Sequence, residues 1–243
     1  MNKNITILNR LKKIIPNHIK PKFYNDYELL KWHEQQSKLL SRIIKKNNQI
    51  IKHQSIIEKS GIQKLYTNCS FKNYYIEHEG HRKVLESAKK YAKEFDKHED
   101  SFIFSGKPGT GKNHLACAIS NYLISYGKNV LILTISDLMS NLKDTFNNHQ
   151  YHLTEKKILN KLNQMDLLIL DEIGIQIASR YEKNIINQII DRRAASKKST
   201  GMISNLDYNQ MEKLLGERVM DRMCIGNSLW LNFGWKSYRR KIK

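Results

Sequence analysis

Apolar residues in this chain follow two rhythms, and the switches between them mark its elements. Near the start, Ile7, Leu8, Leu11, Ile14 and Ile15 fall at helical intervals, with Asn9, Arg10, Lys12 and Lys13 on the opposite face. That pattern predicts an amphipathic helix. Pro16 ends it, and Pro21 keeps the next residues extended. A longer helix is predicted from Asp26, an N-cap candidate, to about Lys59. Its apolar positions (Leu29, Leu30, Trp32, Leu39, Leu40, Ile43, Ile44, Ile50, Ile51, Ile57) keep helical spacing but thin out in the middle, and Ser60-Gly61 is the stop.

A linker is expected within Ile62 to Asn68, and beyond it strands and helices alternate. A helix over about Gly80 to Asp96 presents Val84, Leu85, Ala88, Tyr91, Ala92 and Phe95 on one face. Phe102-Ile103-Phe104 then reads as a buried strand. A helix carrying Leu115, Ala116, Ala118, Ile119, Tyr122 and Leu123 follows, ending at Gly127. Val130 to Ile135 is a continuous, short, β-branched run, the signature of a strand buried on both faces. Ser136-Asp137 caps a helix to about Phe146, and another covers roughly Thr154 to Leu162. Asp166 to Leu170 is a strand. The helix from about Tyr181 to Ala194 turns Ile185, Ile186, Ile189 and Ile190 inward and Arg192 and Arg193 outward. Met202 to Ser204 is a strand, Tyr208 to Leu215 a helix and Ser228 to Phe233 the last strand. The sum is a small helical N-terminal domain, residues 1–65, and an α/β domain, residues 69–243. The latter has a parallel five-stranded sheet with its ligand at the C-terminal strand ends.

Chemistry enters at the first of those strands. It runs into Gly106-Lys107-Pro108-Gly109-Thr110-Gly111-Lys112, which is G-x-x-x-x-G-K between a strand and a helix. Glycines let successive N–H groups face a polyphosphate, and the next helix adds its unsatisfied N–H groups and positive dipole end. Lys112 reaches the β- and γ-phosphates. Asn113 and His114 complete the candidate nucleotide site. Asn113 stands where Ser or Thr usually offers a hydroxyl to Mg²⁺. Its amide oxygen can reach a metal, on a longer arm, so metal-assisted hydrolysis is expected to be weakened more than nucleotide binding.

The second anchor is Asp171-Glu172, at the tip of an apolar strand some tens of residues after the loop. Asp171 is placed to hold Mg²⁺, largely through water. Glu172 is placed to polarise the attacking water as general base. Asn205, ending the next strand, is either a sensor between these carboxylates and the γ-phosphate or a turn-forming residue. Phe71 and Tyr74 either flank a nucleobase or belong to the core. Leu11, Leu29 and Trp32 either anchor a partner protein or pack the N-terminal helices, because two helices cannot bury a large core alone.

Bulk properties narrow the setting. The 243 residues carry a net charge of +19, which points to a polyanion such as nucleic acid, although a chain this rich in Lys, Asn and Ile owes part of that charge to base composition. The three cysteines are far apart with no C-x-x-C pair, which argues for a reducing compartment and against a zinc or disulfide framework. No apolar run approaches the ~18 residues of a membrane span, and no signal-peptide pattern opens the chain. The expectation is a cytoplasmic protein with no membrane partner.

The stretches SFIFSGKPGTGKNHLA, LLILDEIG, NQIIDRR, LLGERVMDRM, GNSLW and HIKP together resemble the bacterial DnaC-type helicase loaders, over essentially the whole chain and including Asn113. The resemblance implies an AAA+ P-loop NTPase of the initiator and loader clade, using ATP/ADP and Mg²⁺ with weak hydrolysis. It implies a DNA replication protein whose N-terminal domain docks on the hexameric replicative helicase. Several copies would self-associate in a spiral that opens the ring for single-stranded DNA and leave with hydrolysis. On matching positions, Asn205 is the first sensor, Arg222 the arginine finger reaching the next subunit's ATP, with Arg218 its rival, and Arg239 the second sensor. Few residues follow Arg222, so no full C-terminal lid is expected. The clade's helical insertion, about 136–162, faces DNA. Lys143, Phe146, Arg180 and Tyr181 supply the cations and aromatics that single strands need, or else pack locally. Two other readings share the core: a transposition-helper ATPase acting on duplex DNA, and a nucleotide-switched adaptor that barely hydrolyses.

Overall fold

The computed structural model describes residues 27–28, 30–38, 40, 60–63, 66–97, 100–147, 155–174 and 179–238. The chain divides into two compact units, Met1–Lys52 and His53–Lys243. In the first, the described residues between 27 and 40 are helical, as the apolar spacing predicts. Glu34 and Lys38 pair at 2.6 Å on an exposed face, and Trp32, half-buried, meets His33 edge-on. Leu30 and Leu40 are exposed. Leu11 and Leu29 lie outside the described residues.

The second unit is built from α1 (Glu79–Glu94), β1 (Phe102–Gly106), α2 (Lys112–Ser125), β2 (Val130–Thr134), α3 (Ile135–Asn147), α4 (Glu155–Gln164), β3 (Leu167–Ile173), α5 (Arg180–Ala195), β4 (Ser199–Ser204), α6 (Tyr208–Leu215), α7 (Glu217–Met223) and β5 (Leu229–Phe233). All five strands are parallel, in the order β2-β3-β4-β1-β5. β4 is thus inserted between the glycine-loop strand and the acidic strand. This is the five-stranded parallel sheet the patterning predicts.

Continuous apolar strands are needed because both sheet faces are covered. Phe102, Phe104, Leu167 and Ile169 point to one side, where they meet Val84, Leu85, Ala88 and Leu115 of α1 and α2. Ile103, Leu168, Leu170 and Met202 point to the other, against Leu138, Leu142, Ile186 and Met220. The result is a three-layer sandwich.

Several helix starts are fixed by side chains. Ser179 and Glu182 form a reciprocal capping box on α5, and Asp207 and Gln210 do the same on α6. α3 begins one residue before the Ser136-Asp137 cap expected for it, because Thr134 Oγ1 accepts from Asp137 N at 3.0 Å. α7 is a further short helix, entered through Gly216 at φ 96 and buried on Val219, Met220 and Met223. In the expected linker, Ile62 is buried in the core, and just before it Ser60 O accepts from Ile132 N at the β2 edge, 2.6 Å away.

One expectation is corrected. Arg193 was expected to face outward with Arg192, yet it is 1% exposed. Its guanidinium donates to Leu162 O (2.6 Å), Met165 O (3.1 Å), Ser199 O (2.5 Å) and Thr200 Oγ1 (3.0 Å). It ties the end of α4 to the entry of β4. Burial pulls its pKa from 12.5 to about 10. A planar fork of donors can serve several acceptors at once, and that is why a charge is tolerated here.

Candidate nucleotide site

The loop between β1 and α2 holds its shape through glycines that no other residue could replace. Gly106 sits at φ 126, and a Cβ there would lie 2.4 Å from Phe233 O. Gly111 occupies the N-cap of α2 at φ 97, ψ 10, with Tyr74 2.9 Å from where a Cβ would be. No side chain caps α2, so its first N–H groups remain available to an anion. Thr110 Oγ1 donates to Lys107 O at 2.7 Å and braces the loop. Pro108, Gly109, Thr110, Gly111, Lys112, Asn113 and His114 all line one cleft of about 590 Å³.

Lys112 is 5% exposed. Its ammonium donates to Gly106 O (2.5 Å), Lys107 O (2.7 Å) and Asn205 Oδ1 (2.9 Å). The structure therefore brings the loop lysine and Asn205 together across the β1–β4 boundary. Asn113 Nδ2 donates to Asp171 Oδ2 at 2.7 Å, so the residue after the lysine bridges to the acidic strand. Burial holds the Asp171 carboxyl above its ordinary value of 3.8, helped by the charge of Glu172. The Glu172 N–H, Asn113 and Lys112 oppose this.

Glu172 follows at φ 61, in left-handed conformation for a non-glycine residue, where the β3–β4 register shifts between Leu170 and Ile173. Its N–H donates to Asp171 Oδ1 at 2.7 Å. The local kink turns the strand end and leaves the Glu172 side chain exposed at the cleft. Strain of this kind concentrates at functional sites.

The donor set fits Mg²⁺. Asp171 and the Asn113 amide offer hard oxygen ligands beside the phosphate cradle, and Mg²⁺ takes few protein ligands and keeps several waters. The raised Asp171 pKa is the mark of a buried carboxylate whose nearest cation, Lys112, undercompensates it. Among the described residues no group of three or more His, Cys, Asp or Glu side chains could hold a metal.

His114 lines the cleft but turns toward the segment ahead of α1. Its ring lies 3.4 Å from Cys69 Sγ, 3.2 Å from Ser70 O and 3.1 Å from Asn73 Oδ1. Burial lowers its pKa. Of the two aromatics left open above, Tyr74 borders the cleft with its hydroxyl buried and unpartnered, whereas Phe71 packs on Tyr122.

Sequence reasoning missed a strap formed by the end of β5 and the residues that follow it. Phe233 O accepts from Lys107 N (3.1 Å), Trp235 Nε1 donates to Thr110 O (2.9 Å) and Tyr238 N donates to Gly109 O (2.8 Å). Trp235 packs against His78 and His81, and Tyr238 meets Tyr75 at 4.8 Å on the rim of the cleft. The aromatic cluster in the terminal segment was the only available signal. Arg239 lies outside the described residues.

The remaining site candidates sit elsewhere on the same unit. Arg222 and Arg218 project from α7, and both approach Asp191 of α5 at 2.8 Å. Arg180 and Tyr181 open α5. Tyr181 is 37% exposed and donates to Glu155 at 3.1 Å. Lys143, exposed, and Phe146 belong to the last turns of α3.

A glycine loop on β1, an acidic strand separated from it by β4, and a polar residue ending β4 beside the loop lysine define a P-loop NTPase with an additional strand. The sequence matches the IstB-like ATP binding protein family over residues 33–243, and the chain belongs to that family. It is 62% identical to the replicative helicase loader DnaC of Buchnera aphidicola subsp. Baizongia pistaciae, covering 100% of this chain and 98% of that one. It is 52% identical to the replicative helicase loader DnaC of Escherichia coli K12, covering 97% and 96%. A crystal structure of the DnaC helicase loader shares the fold, with a TM-score of 0.62 and 24% identity over 70% of this chain and 99% of that one. Among the described residues no helix is long and apolar enough to cross a membrane.

Proposed function

We propose that this chain is an ATP-dependent loader that binds the hexameric replicative helicase, opens its ring and delivers it onto single-stranded DNA. The observation that carries this reading is the extent of the match to proteins named as loaders. It runs over 100% of the chain and so includes the residues ahead of position 33, where the family match begins. A transposition helper would be expected to share the nucleotide core and differ in its N-terminal helices.

In the cleft, Lys112 exchanges its loop carbonyls for phosphate oxygens, and Asn205, already bonded to it, follows the γ-phosphate. Asp171 and Asn113 would hold Mg²⁺, which when bound draws charge from the phosphate oxygens. Glu172 orients and polarises the attacking water. Arg222 reaches the nucleotide of the next protomer, which demands a head-to-tail contact and hence a spiral. Arg239 acts as second sensor. Lys143, Phe146, Arg180 and Tyr181 contact single-stranded DNA, so that binding weakens by roughly 0.7 log units per phosphate contact for each log of salt. Leu11, Leu29 and Trp32 dock on the helicase. Hydrolysis is slow, stimulated by DNA or helicase, and releases the loader; the protein works in the cytoplasm.

One observation favours a second reading, a nucleotide-switched adaptor with little turnover. Asn113 Nδ2 donates to Asp171 Oδ2, an oxygen that a metal would otherwise take. Steady-state ATP turnover with helicase and single-stranded DNA separates these two readings, and titration of the full chain against the same organism's helicase separates both from the transposition helper. Trp32→Ala is expected to weaken binding about tenfold, or 1.4 kcal/mol. Absence of binding by the wild-type chain would refute the loader reading and move the transposition helper forward.

A further inference from the structure

Two arginines share one carboxylate on the side of the domain formed by α5 and α7. Arg218 Nη2 donates to Asp191 Oδ2 at 2.8 Å, and Arg222 Nη1 lies 2.8 Å from Asp191 Oδ1 as an ion pair outside hydrogen-bond geometry, so that this buried oxygen has no hydrogen-bond partner among the described residues. The side chains of Asp191 and Arg222 are 29% and 26% exposed, whereas Arg218 is 72% exposed. Asp191 itself cannot drift. Its neighbour Ile190 is buried in the core and Arg193, two residues on, is locked by four hydrogen bonds. Glu217, Asp221 and Ile225 also border the groove, and neither acid is paired with the two arginines.

An arginine on an open surface samples many rotamers, and holding one of them for a ligand costs side-chain entropy. A carboxylate fixed on a buried helix removes most of that freedom before the ligand arrives. Both Arg222 contacts, to Asp191 and to Arg218 O at 3.5 Å, use Nη1. Nη2 and Nε are left for an incoming oxyanion. The exposed Arg218 takes the other carboxylate oxygen, so Asp191 is not drawn wholly onto Arg222.

We propose that Asp191 is a positioning residue for Arg222, setting the direction in which that guanidinium meets the phosphates bound by a second copy of this chain. The inference rests on the reading of Arg222 given above. Asp191 touches no substrate and acts only through the arginine.

The test is steady-state ATP hydrolysis by the full chain with helicase and single-stranded DNA. Asp191→Asn is expected to lower kcat roughly tenfold, well short of the ~10³ that a whole arginine finger carries. KM and nucleotide affinity should stay within about twofold. Mixing it with an equal amount of Lys112→Met should restore part of the activity. The mixed contacts set a well-held Arg222 against an intact nucleotide site, and a folding defect could not be repaired in this way. Wild-type kcat for Asp191→Asn alongside an inactive Arg222→Ala would overturn the proposal and leave the finger reading standing. Wild-type kcat for Arg222→Ala would overturn the finger reading, and the proposal with it. If Asp191→Asn fails to bind nucleotide, Asp191→Glu decides. Its carboxylate sits one methylene further out, so reduced kcat with intact binding supports the proposal and wild-type kcat refutes it.

Discussion

Lys112→Met removes the one buried cation of the phosphate cradle and keeps its apolar stem. The ammonium makes three hydrogen bonds, to Gly106 O, Lys107 O and Asn205 Oδ1. A nucleotide must therefore compete with carbonyls that the lysine already satisfies. Bonds from the ammonium to a phosphate, charged on both sides, contribute ~3 kcal/mol each, and each surrendered ammonium–carbonyl bond, charged on one side only, offsets about 2 kcal/mol. Two exchanges leave a net of about 2 kcal/mol, or about thirtyfold in Kd. The assay is equilibrium titration with a fluorescent ADP analogue, and adenosine serves as the competitor that lacks phosphates. ADP affinity should fall about thirtyfold while adenosine affinity is unchanged. A Kd shift below about threefold, or an equal loss for adenosine, would mean that Lys112 does not read phosphate.

Gly111→Ala forces a Cβ into left-handed backbone 2.9 Å from Tyr74. It should cost at least ~1–2 kcal/mol from backbone strain alone, seen as a lower urea midpoint together with lost nucleotide binding. Arg193→Met strands four acceptors, three of them in buried hydrogen bonds, and each buried one costs ~1–3 kcal/mol when unsatisfied. Chemical denaturation should show a loss of at least about 3 kcal/mol. Asp171 carries a pH signature. Its folded pKa lies above 3.8, so the native state holds the proton more tightly than the unfolded chain. Its contribution to stability therefore falls as pH rises from 3.8 through the folded value. Urea melts at acid and neutral pH should show the wild-type stability relative to Asp171→Asn declining toward neutral pH, and a difference that stays flat would refute the burial argument.

The nucleotide loop, the acidic pair and the five strands were legible in the sequence because each is a local device. Contiguous glycines set the loop, and uninterrupted apolar runs are what a strand covered on both faces requires. Most helices were legible too, from periodicity. α7 was not, because seven residues give barely two turns in which to see a repeat. Arg193 was misplaced for a related reason. Periodicity ranks residues by polarity, and a buried arginine is explained only by carbonyls of Leu162, Met165 and Ser199 that come from other elements.

By itself, then, the sequence determined what each segment is and which residues carry charge, glycine freedom or a carboxylate. Tertiary structure alone decided which of these meet. Asn113 bonds to Asp171 and Lys112 to Asn205 because β4 lies between β1 and β3 and brings the three strand ends together. The strap from Phe233 to Tyr238 reaches the glycine loop because β5 pairs with β1. The Asp191 fork exists because α7 packs on α5. Such contacts join residues far apart in the chain, and burial of the two sheet faces, rather than any local preference, fixes their distances.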